Sequence, residues 1–94
     1  MKIYTDAFKK PITQADVRTA VVIILQKKQA DAFILTRSIK GFGPVKSNTI
    51  IRLLEDAQVI SEQLGGQQTP RTILLKNEDA AINAALRQLK KGNH

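Results

Sequence analysis

The sequence has no cysteine, no tryptophan, four aromatic residues in all and a single histidine, His94, at its last position. Without cysteine there is no disulfide framework and no thiolate metal site, which fits a reducing cytosol. One histidine cannot assemble a Ser-His-Asp or Cys-His set, and no ligand cluster surrounds it. The carboxylates are few and scattered: Glu55-Asp56 fall at the outer end of one helical stretch, and Glu78-Asp79 open another. Gly41-x-Gly43 and Gly65-Gly66 read as turn glycines, because neither sits in the strand-loop-helix context of a phosphate cradle. No catalytic residue, metal, cofactor or small-molecule substrate is therefore expected, and the chain reads as a non-enzyme. Long hydrophobic runs are missing too. The longest is Ala20 to Leu25, too short to span a bilayer, and Met1-Lys2-Ile3-Tyr4 opens no signal peptide. A cytoplasmic, nucleoid-associated location with no membrane partner follows as the expectation.

Acidic residues are the other scarcity. Eight of them face fifteen Lys and Arg, a formal net charge of +7 on 94 residues. So basic a chain, with room for one core only, suggests a polyanionic partner, nucleic acid ahead of an anionic membrane surface.

Apolar periodicity divides the chain into an N-terminal segment (1–12), a central domain (13–76) and a C-terminal helix (77–94). In the first segment Tyr4, Ala7 and Phe8 suit either a short helix or a docked arm. A partly ordered terminus is expected rather than a basic arm laid on DNA. Thr13 with Asp16 reads as a capping box, and Val17, Ala20, Val21, Ile24 and Leu25 predict a helix to about Lys28. Asp31 caps a second helix whose apolar stripe takes in Phe33, Ile34, Leu35 and Ile39. Gly41, Gly43 and Pro44 then break the chain and open a third helix to Ala57. Its buried face is Ser47, Ile50, Ile51 and Leu54. Lys46, Thr49, Arg52 and Leu53 lie opposite, with Val45 and Asn48 at the edges.

A short helix, a glycine turn and a second helix with its basic face outward make a helix-turn-helix, whose second helix can enter the major groove of duplex DNA. From Ala32 to Leu54 there are four basic residues and no acidic one. Residues 58–64 and 69–75 are β-prone and flank Gly65-Gly66, which predicts a β-hairpin with a polar, basic tip. The fold expected is α+β, mostly α: a winged helix-turn-helix with a three-helix core, a β-hairpin wing and an extra C-terminal helix. Asn77 caps that last helix. Its stripe of Ile82, Ala85, Leu86 and Leu89 suits either packing on the first helix or a homodimer.

Gly43 through Ile60, with residues 69–74, resembles the C-terminal gamma domain of the FtsK/SpoIIIE DNA translocases. Leu54-Glu55-Asp56-Ala57-Gln58-Val59-Ile60 and Pro70-Arg71-Thr72-Ile73-Leu74 carry the likeness, which covers roughly residues 17 to 75. The family's domain is a winged helix that reads short polar DNA sequences and so orients a motor. By position the resemblance puts Lys46, Thr49 and Arg52 against bases or nearby phosphates, and Arg71 on the wing. The family usually has Asn-Arg where this chain has Val45-Lys46, Arg at Thr49, Gly at Gln58 and Lys at Thr69. No P-loop is present, so the chain is no motor; it reads as an excised domain or a free-standing relative.

The DNA-binding set expected is Arg37, Lys40, Val45, Lys46, Asn48, Thr49, Arg52, Gln67, Gln68, Thr69 and Arg71. Arg52 is the choice for a bidentate guanine contact, while Arg37, Lys40 and Arg71 are assigned to phosphates. The role expected is sequence-selective duplex binding in DNA translocation, partition or plasmid maintenance. A small transcriptional or replication regulator is the alternative. A further one is a winged helix that contacts proteins through Val45 and Leu53.

Overall fold

The computed structural model describes residues 2–62 and 71–94. Four helices build it: α1 (Gln14–Lys27), α2 (Ala32–Ser38), α3 (Pro44–Asp56) and α4 (Glu78–Gly92). Each start is set locally. Thr13 and Asp16 close a reciprocal capping box on α1. The carboxylate of Asp31 accepts the Ile34 N–H (2.8 Å) on α2, and the Asn77 side-chain oxygen accepts the Ala80 N–H (2.9 Å) on α4. α3 starts with Pro44 after Gly43 and has no side-chain cap. Gly41 takes the turn before it at φ +89°, a backbone conformation a Cβ would oppose.

The core forms where the apolar stripes meet. α1 lies against α4 and α2, and α3 against α2 and α4. Val17, Ala20, Val21 and Ile24 of α1 are buried with Leu35, Ile50, Leu54, Ala81, Ala85 and Leu89. Burying a Val, Leu or Ile side chain stabilises by about 1.5–3 kcal/mol each, so these stripes dominate the fold's stability. The Ser47 and Thr36 hydroxyls pair at 2.9 Å, which satisfies the buried Ser47 and pins the α2–α3 crossing. In the expected stripe of α4, Ala85 and Leu89 are buried within the chain, while Ile82 and Leu86 are half-buried. Phe33 departs from its expected stripe: it is 66 % exposed on the outside of α2.

The expected β-hairpin wing is not seen, and the winged helix-turn-helix assignment is corrected to a four-helix fold with no sheet among the described residues. After α3 the chain turns at Gln58 (φ +60°), and a single antiparallel bridge joins Ile60 to Ile73. Among the described residues no further bridge extends it, and Val59 and Ile60 are both buried in the core. A half-buried hairpin strand sends successive side chains to opposite faces. The Leu74 and Leu75 N–H groups, moreover, both donate to the Val59 carbonyl. The Gly65-Gly66 turn, Gln67, Gln68 and Thr69 lie outside the described residues.

The N-terminal segment is an anchored arm, where a partly ordered terminus was expected. Its turn is closed by the Asp6 carboxylate, which accepts the N–H groups of Phe8 and Lys10, and an isolated bridge pairs Thr5 with Pro11. Tyr4 is fully buried. Its hydroxyl donates to Asp56 of α3 (2.5 Å) and accepts from Gln88 of α4 (3.0 Å). Its backbone N–H and C=O are both bonded by the Asn93 amide (2.9 Å each). Burial raises the Tyr4 hydroxyl pKa above its ordinary range and the bond to Asp56 adds to this, while Gln88 and Arg52 oppose it.

Candidate nucleic-acid interface

The carboxylates are largely absorbed by the fold. Asp6, Asp16 and Asp31 accept backbone N–H groups, Asp56 takes the Tyr4 hydroxyl, and Glu55 pairs with Arg71. Glu78 and Asp79 stand in the first turn of α4, where the helix dipole favours them. Ion pairs hold two of the fifteen cations among the described residues, Lys46 and Arg71.

The α2–α3 unit displays part of the expected set. Arg37 is exposed in the last turn of α2, its guanidinium 5.2 Å from the centre of the exposed Phe33 ring. Lys40 is exposed in the turn, and Asn48 on α3. Val45 is 48 % exposed. Arg52 is exposed as well, but it is held: its guanidinium donates to the Ile3 carbonyl and lies 5.4 Å from the centre of the Tyr4 ring. Val45, Asn48 and Arg52 follow at i, i+3 and i+7, which makes one stripe about 10 Å long.

Other members of the set are placed elsewhere. Thr49 is only 8 % exposed, and Leu53 is fully buried, so the face opposite Ile50 and Leu54 is covered as well. α3 is enclosed on more sides than its own periodicity indicates. Lys46 bridges to Asp16 of α1 (3.4 Å) and lies over the Phe42 ring (5.1 Å). Arg71 joins Glu55 at the end of α3 (3.6 Å) and donates to the Ala30 carbonyl before α2 (3.4 Å). Its Nε is buried with no hydrogen-bond partner among the described residues, and its two contacts tie the approach to α2 to the end of α3, where a wing cation was expected.

Sequence reasoning missed the cluster around Tyr4. It joins the arm to Arg52, Asp56, Gln88 and Asn93, as many as 89 positions away. The one available signal was the chain's lone tyrosine followed by a helix-length gap to the first capping box. No group of three or more His, Asp or Glu side chains that could hold a metal occurs among the described residues. No described helix is long and apolar enough to cross a membrane. No protein-family model, curated protein or solved structure matches this chain.

Proposed function

We propose that the protein binds duplex DNA through α2, the Gly41 turn and α3. One observation carries the reading: Arg37, Lys40, Val45, Asn48 and Arg52 stand exposed on a segment, Ala32 to Leu54, that holds no carboxylate. A stripe of about 10 Å matches about three base-pair rises of 3.4 Å, and the major groove, about 12 Å wide, admits a helix. In this reading Asn48 meets a base edge, Arg52 joins it once its bond to the Ile3 carbonyl is exchanged for one to a base, Val45 offers an apolar contact to a thymine methyl, and Arg37 and Lys40 neutralise phosphates. Thr49, Lys46 and Arg71 are not assigned to DNA, because the first is covered and the other two are engaged within the fold.

The likeness of residues 43–60 to the recognition-helix segment of the translocase gamma domain supports a role in DNA translocation, partition or plasmid maintenance. A small regulator of transcription or replication would use the same helices. A polar site bound by one subunit or a tandem array favours the first role; a palindrome bound by a dimer favours the second. The protein-contact alternative loses one of its two anchors with Leu53 in the core.

The test is a mobility shift of random duplex at low salt, followed by selection from a random pool. Binding should weaken steeply with salt, and Arg37→Ala and Lys40→Ala should each flatten the log–log slope by about 0.9 while weakening all sequences alike. Asn48→Ala should cost about 1–3 kcal/mol on the selected site and little on random duplex. No shift at low salt, or binding indifferent to salt, removes the proposal.

A further inference from the structure

α4 keeps cations on the side that the core does not cover. Asn83, Arg87 and Lys90 follow at i, i+4 and i+7, and all three are exposed. The N-terminal arm and the start of α1 face this stripe, and together they enclose a groove of about 520 Å³. That volume falls within the range of about 300–1,000 Å³ found for ligand clefts. Lys2, Arg87 and Lys90 supply its charge, and no carboxylate is found among its described lining residues. Lys2 is fixed there by a hydrogen bond from Nζ to the Asn93 carbonyl (2.9 Å). Ile12, Leu86 and Leu89 line the same groove and are far less exposed than the three cations, so the apolar surface lies beneath the charged one.

This combination selects among anionic partners. Nucleic acid would use the cations but gain nothing from the aliphatic surface, and no aromatic side chain lines the groove to stack a base. A peptide that carries both carboxylates and aliphatic side chains uses both layers. We propose that the groove between the arm and α4 docks an acidic, aliphatic segment of a partner protein. Its carboxylates meet Lys2, Arg87 and Lys90, and its apolar side chains cover Ile12, Leu86 and Leu89. The site involves neither α2 nor the exposed stripe of α3, so the proposal stands or falls independently of the DNA reading.

The probe is a fluorescent peptide of about twelve residues with Leu and Glu in helical repeat, titrated into the full chain and followed by anisotropy and by amide chemical shifts. Saturable binding is expected, with the shifts gathered at Leu86, Arg87 and Lys90. Arg87→Glu and Lys90→Glu should each weaken it about tenfold, and Arg87→Lys should largely restore it. Arg18→Glu, which reverses an exposed cation on α1 outside the groove, should change affinity less than about twofold. All three positions concerned are exposed, so thermal unfolding of the variants should match that of the parent. A peptide with Ser in place of Leu should not bind. The proposal is overturned by absence of saturable binding, by equal binding of the Ser peptide, or by equal losses from Arg18→Glu and Arg87→Glu. It is overturned equally if a duplex oligonucleotide shifts these same amides and the peptide does not.

Discussion

Gly92→Ala is the substitution most directly decided by the packing of the arm. A Cβ built on Gly92 would overlap Cε2 of Tyr4, and would lie 2.8 Å from both Tyr4 Cδ2 and Ile3 Cγ1. Contacts that short do not persist, so the ring or the end of α4 must move. The ring is fully buried and tied at its hydroxyl by Asp56 and Gln88, and the Ile3 N–H donates to the Gly92 carbonyl itself (3.2 Å). Sliding the arm away therefore breaks the bonds that seat it. Two effects compete. Alanine is favoured over glycine inside a helix by about 1 kcal/mol, and by less at a last residue. Overpacking a filled core costs about 1–3 kcal/mol. The steric cost wins, and a net destabilisation of about 1–2 kcal/mol is expected. For a domain of this size each kcal/mol lowers Tm by about 4–8 °C, so thermal unfolding followed by circular dichroism resolves the change. The decisive comparison is made in a Tyr4→Ala background, where the ring is gone. There the same Gly92→Ala change should be neutral or stabilising, and the difference between backgrounds measures the contact. A rise in Tm on Gly92→Ala in the parent chain would falsify this account of the arm.

Tyr4→Phe should cost about 1–3 kcal/mol in urea unfolding, because the Asp56 and Gln88 groups lose their shared partner. The raised hydroxyl pKa also sets a direction with pH. The contribution is complete below the ordinary tyrosine value of about 10 and is lost as pH rises through the higher folded value. The gap between parent and Tyr4→Phe should therefore hold through neutral pH and narrow above about pH 10; a constant gap counts against the role given to the hydroxyl. Gly41→Ala should destabilise by about 1–2 kcal/mol through its φ of +89°, although its Cβ would meet open space. Gln58→Gly runs the other way: Gln58 holds φ +60° just past α3, and relief of that conformation should stabilise by about 1 kcal/mol in the same unfolding assay.

The four helices and their order were legible before any coordinates, because caps and stripes act within one or two turns. Thr13 with Asp16, Asp31 and Asn77 each bond three residues ahead, and Ser47, Ile50, Ile51 and Leu54 are buried as their spacing required. Periodicity also set Arg52 opposite the buried face of α3, with Asn48 at its edge, and both are exposed. The same logic failed at Thr49 and Leu53. A helical stripe says which face is apolar but not how many neighbours a helix will acquire, and residues far along the chain supply them. The hairpin misled for a related reason. Residues 58–64 and 69–75 have strand-like composition, but Val59 and Ile60 both turn into the core, and tertiary burial overrides β-propensity.

Local chemistry thus determined where helices begin, which residues each must hide, and that the chain is strongly cationic. Tertiary structure alone decided which cations stay in solvent. Lys46 and Arg71 are drawn to Asp16 and Glu55, Arg52 is seated on the arm, and Arg37, Lys40, Arg87 and Lys90 remain outward. Those partners stand between 16 and 49 positions apart in the chain, well beyond the four-residue reach of helical periodicity; only the folded packing brings them together.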